Sequence, residues 1–283
     1  MARTTATLEE GFSLEQAGTR AAQHPLVRRL ARFGIFCKSV VYTVLSSLAL
    51  LAAAGMGGRA TDSRGAITTI SREPYGRVLV AVLVVGLVGL GTWFIVEAMA
   101  DRDGRRGDWK RHVMRLAKAV AGLMYGGLAW WAAGLALGGS SGPSSDALTR
   151  SLTARVIALP GGRLLVAIGG VIALAIAFNQ ARNGWRSLDK SKFALERMCA
   201  WLRPWAPRLA FVGYTAQGLV FALMGLFFLQ AAVEGEPHEA TGFDGALAVI
   251  ARQPAGMALL GVIALGLLAY AVNAALESRY KRL

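Results

Sequence analysis

The chain has 283 residues, 54% of them hydrophobic and 17% charged, with a mean hydropathy of +0.45 and a formal net charge of +14. Soluble domains carry about a quarter charged residues, so the balance points to lipid as the solvent. The positive charge clusters between long apolar runs instead of being interleaved with contact residues on a folded surface. That sets nucleic-acid recognition aside in favour of basic loops at a membrane face.

The chain opens with MARTTATLEEGFSLEQAGTR, which is polar, partly acidic and without the apolar core of a signal peptide. Residues 1–29 are expected to be a cytoplasmic segment, with 1–25 loosely ordered apart from one surface helix. Six apolar segments follow, at about 33–55, 76–99, 115–138, 161–180, 209–233 and 255–276. Each supplies roughly 20 or more residues, enough at about 1.5 Å per residue to cross a hydrocarbon core near 30 Å. The loops between them alternate in charge. Arg28, Arg29 and Arg32, then Arg102, Arg105, Arg106, Lys110 and Arg111, then Arg182, Arg186, Lys190, Lys192, Arg197 and Arg203, and finally Arg279, Lys281 and Arg282 fall on one side. The alternate loops hold far fewer, among them Arg59, Arg64, Arg150 and Arg252. Excess Lys and Arg marks the cytoplasmic face, so both termini are expected in the cytoplasm, with the chain in the inner or plasma membrane.

One signal recurs three times. Pro74-Tyr75-Gly76, Pro160-Gly161-Gly162 and Pro254-Ala255-Gly256 each open an even-numbered span. Proline is tolerated in a first helical turn, where its missing N–H costs no intrahelical bond. A short amphipathic stretch precedes each motif: GAITTISRE, SLTARVIAL and GALAVIARQ. With Ile67 and Ile70 matching Thr153 and Val156, then Leu247 and Ile250, these read as short helices at the outer interface. The odd spans align too. Tyr42, Tyr125 and Phe221 form an aromatic column, flanked by Ser39, Gly122 and Gly218 and by Ser46, Ala129 and Gly225. Positions i, i+3 and i+7 share a helix face, and small residues there let backbones approach inside a bilayer. The GxxxG motifs at 122–126 and 134–138 are read as packing within the chain.

These patterns predict an all-α integral membrane protein. Its six transmembrane helices form three parallel tandem hairpins with pseudo-threefold symmetry about the membrane normal. The repeats span 30–101, 113–183 and 208–283, joined by a cytoplasmic linker at 102–112 and an amphipathic one at 184–207.

The pattern resembles the bacterial domain-of-unknown-function family 1206, membrane proteins of three tandem two-helix units. That family's unit runs from Arg-x-Gly-Tyr through an aromatic in the first helix to Gly-Ala-Leu and Pro-x-Gly. The third unit here matches best, with Arg208, Gly213, Tyr214, Gly245, Ala246, Leu247, Pro254 and Gly256. The first keeps Arg32, Gly34, Gly65, Ala66, Pro74 and Gly76; the second departs, with Ala117 for the glycine and SLT for Gly-Ala-Leu. The resemblance covers about residues 30–280 and implies an architecture without an activity.

Catalytic signals are absent from the sequence. His24, His112 and His238 all lie outside the spans, which argues against bis-histidine haem, and their spacing is not that of a metal cluster. Cys37 and Cys199 are expected as free thiols on the reducing side. No nucleophile elbow, phosphate-binding loop or dinucleotide fingerprint occurs, so neither an enzyme nor a cofactor is expected.

A polar band remains. Trp93, Asn179 and Asn273 occupy equivalent places in the even helices, with Glu97, Asn183 and Glu277 one turn on. Lys38 and Gln217 are equivalent in the first and fifth spans. Ionisable groups within a span often mark pathways or ligand sites, so the band suggests an axial vestibule open to the cytoplasm. The plainer reading makes Glu97 and Glu277 interfacial, lets Lys38 snorkel or pair with Glu97, and uses the amides to hold the bundle together.

The linker GWRSLDKSKFALERMCAWLRPWAPR alternates apolar residues with Lys190, Lys192 and Arg197. Such a segment suits a helix on anionic lipid, with Trp185, Trp201 and Trp205 at headgroup depth; a partner-binding helix is the rival. On this reading the chain is a non-enzymatic membrane module binding lipid or a membrane-protein partner. A carrier or channel for a small solute or ion is the alternative.

Overall fold

The computed structural model describes residues 24–58, 60–100, 109–188 and 202–280. Among them every regular element is helical. In chain order these are α1 (Pro25–Ala53), α2 (Ser63–Arg72), α3 (Gly76–Met99), α4 (Trp109–Ala136), α5 (Ser145–Ile157) and α6 (Gly162–Ser187). Then come α7 (Ala206–Glu234), a 3-10 turn at Pro237–Glu239, α8 (Phe243–Ala251) and α9 (Gly256–Tyr280). Six of them, α1, α3, α4, α6, α7 and α9, are long and apolar enough to cross a membrane. The helices overrun the apolar segments: α1 starts at Pro25 and takes Arg28, Arg29 and Arg32 into its first turns. Long cationic side chains can extend their charge to water from a helix that continues past the hydrocarbon. The expected surface helix within residues 1–25 lies outside the described residues.

The three Pro-x-Gly motifs do the same work, just outside the position read from sequence. The spans begin at the glycine, and the proline precedes the helix instead of sitting in its first turn. The middle residue is left-handed each time, with φ of 63° at Tyr75, 77° at Gly161 and 59° at Ala255. This residue turns the chain from a short helix into the span. Glycine must follow because a Cβ on Gly162 would collide with Val156 O, and one on Gly256 with Ile250 O, equivalent carbonyls near the ends of α5 and α8.

The short helices are also fixed locally. Asp62 caps α2 by accepting from Gly65 N at 3.0 Å, and Ser144 caps α5 by accepting from Ala147 N at 3.2 Å. Ala66, Ile67 and Ile70 of α2 are buried, as are Ala246, Leu247 and Ile250 of α8. The glycine of each Gly-Ala pair has a steric cause. A Cβ on Gly65 would meet Thr61 Oγ1, and one on Gly245 would meet Thr241 Cβ.

Two compact units form, one from residues 24–38 and 74–139, the other from 39–73 and 140–280. In the first, α3 and α4 approach through glycine. A Cβ on Gly122 would lie 3.0 Å from Gly91 O, and one on Gly91 would lie 3.1 Å from Gly122 O. Phe94 and Tyr125 stack across this seam at 5.7 Å, and Arg115 Nε donates to Ala98 O at 2.7 Å in the last turn of α3. The first half of α1 joins α3 where Gly34 meets Gly86 O and Leu90 Cβ, and where Gly86 meets the Cys37 side chain.

In the second unit α6 and α7 repeat the first seam: a Cβ on Gly218 would lie 3.1 Å from Ala177 O. Farther along the same pair, a Cβ on either Gly170 or Gly225 would lie 2.9 Å from the other's carbonyl oxygen. Between α7 and α9, Gly213 lies against the Tyr270 backbone and Gly266 against Ala216 Cβ. These are the positions that Gly34, Leu90, Gly86 and Cys37 fill in the first repeat. Each pair of equivalent positions therefore carries the same contact, and lipid offers no hydrophobic drive to replace such packing. In the second repeat Ala117 and Ile172 stand where the first and third repeats place glycine.

Candidate functional site

The second unit gathers a polar thread inside the spans. Gln217 of α7 is central and only 4% exposed. Its Nε2 donates to Tyr42 Oη at 2.9 Å on α1, and its Oε1 accepts from Gln180 Nε2 on α6. The Tyr42 ring packs on Tyr270 of α9 with centroids 4.9 Å apart, and Tyr270 packs edge-on against Tyr214 of α7 at 5.5 Å. Tyr214 Oη then donates to Glu277 Oε1 at 2.7 Å, and Asn273 Nδ2 donates to the same oxygen at 3.1 Å. Glu277 sits in the last turn of α9 and Asn273 one turn earlier, so the thread runs inward from the terminus-bearing end. Four helix segments are tied together by amides, hydroxyls and one carboxylate.

One atom breaks the account. Asn273 is 1% exposed, and its Oδ1 has no hydrogen-bond partner among the described residues. An unpaired buried carbonyl costs about 1–3 kcal/mol, so this oxygen is the thread's vacant acceptor.

The polar residues singled out by sequence divide between settings. Gln217, Asn273 and Glu277 join the thread. Asn179 is exposed and Asn183 half-buried; α6 contributes the next residue, Gln180. One residue along a helix turns the side chain by about 100°, which separates an amide facing outward from one facing in. In the first unit Trp93 is buried, and Glu97 pairs with Lys118 Nζ of α4 at 3.4 Å. Lys38, considered in sequence as a partner for Glu97, lies with Nζ 6.0 Å from the Tyr125 ring centroid. Tyr42, Tyr214 and Tyr270 were legible as aromatics, but nothing in the spacing indicated that their hydroxyls and rings would connect the amides. The aromatic column also disperses: Tyr42 meets Tyr270, Tyr125 meets Phe94, and Phe221 meets Phe243.

Trp185 and Trp205 are exposed, on either side of the basic linker, and the Arg208 guanidinium lies 5.5 Å from the Trp205 ring centroid. Lys190, Lys192, Arg197 and Trp201 lie outside the described residues, as does Cys199; Cys37 is a buried free thiol.

At the other end of the spans His238 stands between two carboxylates, with Nδ1 3.2 Å from Glu236 Oε2 and Nε2 3.2 Å from Glu239 Oε1. Sequence spacing gave no sign of this group, because the 3-10 turn folds adjacent residues around one imidazole. Its members are largely exposed, and the arrangement is that of an imidazole engaged at both nitrogens.

The Domain of Unknown Function (DUF1206) family matches three times in tandem, at residues 33–101, 117–187 and 212–281. A protein of Bacillus subtilis strain 168 named "Uncharacterized protein YxxB" is 31% identical over 259 residues, covering 92% of this chain and 93% of that protein. No solved structure matches. The tandem match falls on the three helix pairs α1 and α3, α4 and α6, and α7 and α9: the chain is a multi-pass membrane protein belonging to the DUF1206 family.

Proposed function

We propose that this protein is a non-enzymatic membrane module, an accessory or scaffold subunit of the bacterial cytoplasmic membrane that binds anionic lipid or another membrane protein. The observation that carries the reading is how the buried polar groups are spent. Gln217 gives its donor to Tyr42 and its acceptor to Gln180, while Tyr214 and Asn273 converge on Glu277. Groups bonded to one another hold helices together, whereas a pathway needs them turned toward a passing solute. The three repeats stand as parallel hairpins about a pseudo-threefold axis, with both termini cytoplasmic. Equivalent glycine contacts and the excess of Lys and Arg in alternate loops support this arrangement. Exposed Trp185 and Trp205, with Arg186, Arg203 and Arg208 beside them, suit the headgroup layer of an anionic leaflet.

A small-solute or ion carrier is the second reading, favoured by the vacant Asn273 Oδ1. Flux of monovalent ions and small neutral solutes through proteoliposomes separates the two. The module reading expects wild type and Asn273→Leu to be equally silent. Wild-type flux that disappears in Asn273→Leu would make the protein a carrier.

A further inference from the structure

The short helices α2, α5 and α8 begin close together, and each has an aspartate at its start: Asp62 caps α2, while Asp146 and Asp244 lie in the first turns of α5 and α8. Two are satisfied. Asp62 Oδ1 accepts from Gly65 N at 3.0 Å and its Oδ2 from Ser145 Oγ of α5. Asp146 Oδ1 accepts from Gly242 N at 3.0 Å, and its Oδ2 pairs with Arg150 at 2.9 Å. Asp244 differs. Its Oδ1 is buried without a hydrogen-bond partner among the described residues.

An independent vacancy lies alongside. Thr241 is 4% exposed, and its Oγ1 also has no partner among the described residues. Its side chain stands against Asp146: a Cβ placed on Gly245 would meet both Thr241 Cβ and Asp146 Oδ1. The gap beside Gly242 is bordered by oxygens as well, with Asp244 Oδ1 and Thr149 Oγ1 each 3.2 Å from where a Cβ would sit. Glycine at 245 lets the Asp146 carboxylate approach the start of α8. Hydroxyl and carboxylate oxygens border both glycines, with the Asp62 and Asp146 carboxylates near enough to Asp244 to act on it. Burial first, and then the Asp62 and Asp146 carboxylates, push the Asp244 carboxyl above its ordinary range.

We propose that this cluster is a binding site for a hard divalent cation of the calcium type, with Asp244 Oδ1, Thr241 Oγ1 and Asp146 Oδ1 as its protein ligands. The donor set is all oxygen, which selects calcium-like ions over zinc or copper. A cation supplies what both vacant oxygens lack and offsets the crowding of carboxylates. It also pins α8 to α5, and through Ser145 and Asp62 to α2, clamping the loop ends of three repeats.

The test uses the purified full chain in detergent, stripped with chelator and titrated with calcium chloride while thermal unfolding is followed. Wild type should melt progressively higher until the site saturates. Asp244→Asn should weaken calcium binding by about tenfold or more, and Thr241→Val should reduce the calcium-dependent rise. Glu236→Gln/Glu239→Gln, which removes the exposed carboxylates around His238, should keep it. No calcium effect on wild type would overturn the proposal. So would an unchanged rise in Asp244→Asn, or a rise lost in Glu236→Gln/Glu239→Gln. If Asp244→Asn fails to fold, Thr241→Val decides: a full wild-type response there overturns the site.

Discussion

Tyr214 donates its hydroxyl hydrogen to Glu277 Oε1 at 2.7 Å, joining α7 to the last turn of α9. The bond ends on a carboxyl oxygen that Asn273 also contacts at 3.1 Å. Tyr214→Phe should cost about 1–2 kcal/mol of stability, the order expected for a side-chain hydrogen bond inside a protein. In a Glu277→Ala background the same substitution should cost much less. A double-mutant cycle from detergent unfolding measures the difference, and additive effects would show that the pair is not coupled.

Gly122 and Gly126 belong to one GxxxG motif and have opposite surroundings. A Cβ on Gly122 would lie 2.8 Å from Ile95 side-chain carbons and 3.0 Å from Gly91 O, whereas Gly126 has nothing within 4 Å. Gly122→Ala should destabilise by about 1–3 kcal/mol through overpacking. Gly126→Ala should be neutral or gain up to about 1 kcal/mol from helix propensity. Equal melting temperatures would count against the seam between α3 and α4.

The left-handed residue of Pro-x-Gly is glycine in one repeat only. Ala255 has φ 59° and Gly161 has φ 77° in equivalent turns. Side chains are disfavoured there by about 1–2 kcal/mol, so Ala255→Gly should stabilise by a fraction of that, the rest being lost to a more flexible unfolded chain. A lower melting temperature for Ala255→Gly would mean that the turn is not left-handed.

Asp244 makes stability depend on pH in a defined direction. Its folded pKa is raised by burial and by Asp62 and Asp146. The neutral form is favoured in the fold, so its contribution is complete below the unfolded value of about 3.9 and is lost as pH rises through the folded value. In chelator, wild type should therefore lose stability relative to Asp244→Asn as pH increases from about 4 toward neutrality. A difference that stays flat or reverses sign would show that the carboxylate is not destabilised in the fold.

Much of this architecture was legible in the chain. Pro-x-Gly located the three turns, and the columns containing Gly122 and Gly218 located two seams, because a backbone approach demands a small residue whatever else surrounds it. The proline lies farther out than a first helical turn, on the residue before the N-cap, because its fixed φ suits both places. The candidate site was half legible. Gln217, Asn273 and Glu277 stand out as polar groups in apolar spans, but repeat alignment points to Asn179 and not to its neighbour Gln180, because it matches positions and carries no helix rotation. The vacancies at Thr241 and Asp244 could not be read at all. They arise where α5 and α8 meet, and no local pattern reports a contact of that range.

The central claim is that the polar thread is an interhelical lock closed to water. Its most direct test is thiol accessibility at Gln217, in the middle of the thread and 4% exposed. Gln217→Cys, built in a Cys37→Ala/Cys199→Ala background and reconstituted in sealed vesicles, is treated with a small water-soluble thiol reagent, with exposed Leu188→Cys as the reference. The account predicts no reaction at 217 under conditions that label 188 fully. Reaction at 217 at a rate comparable to 188 would mean that water reaches the thread, and the lock would be a pathway instead.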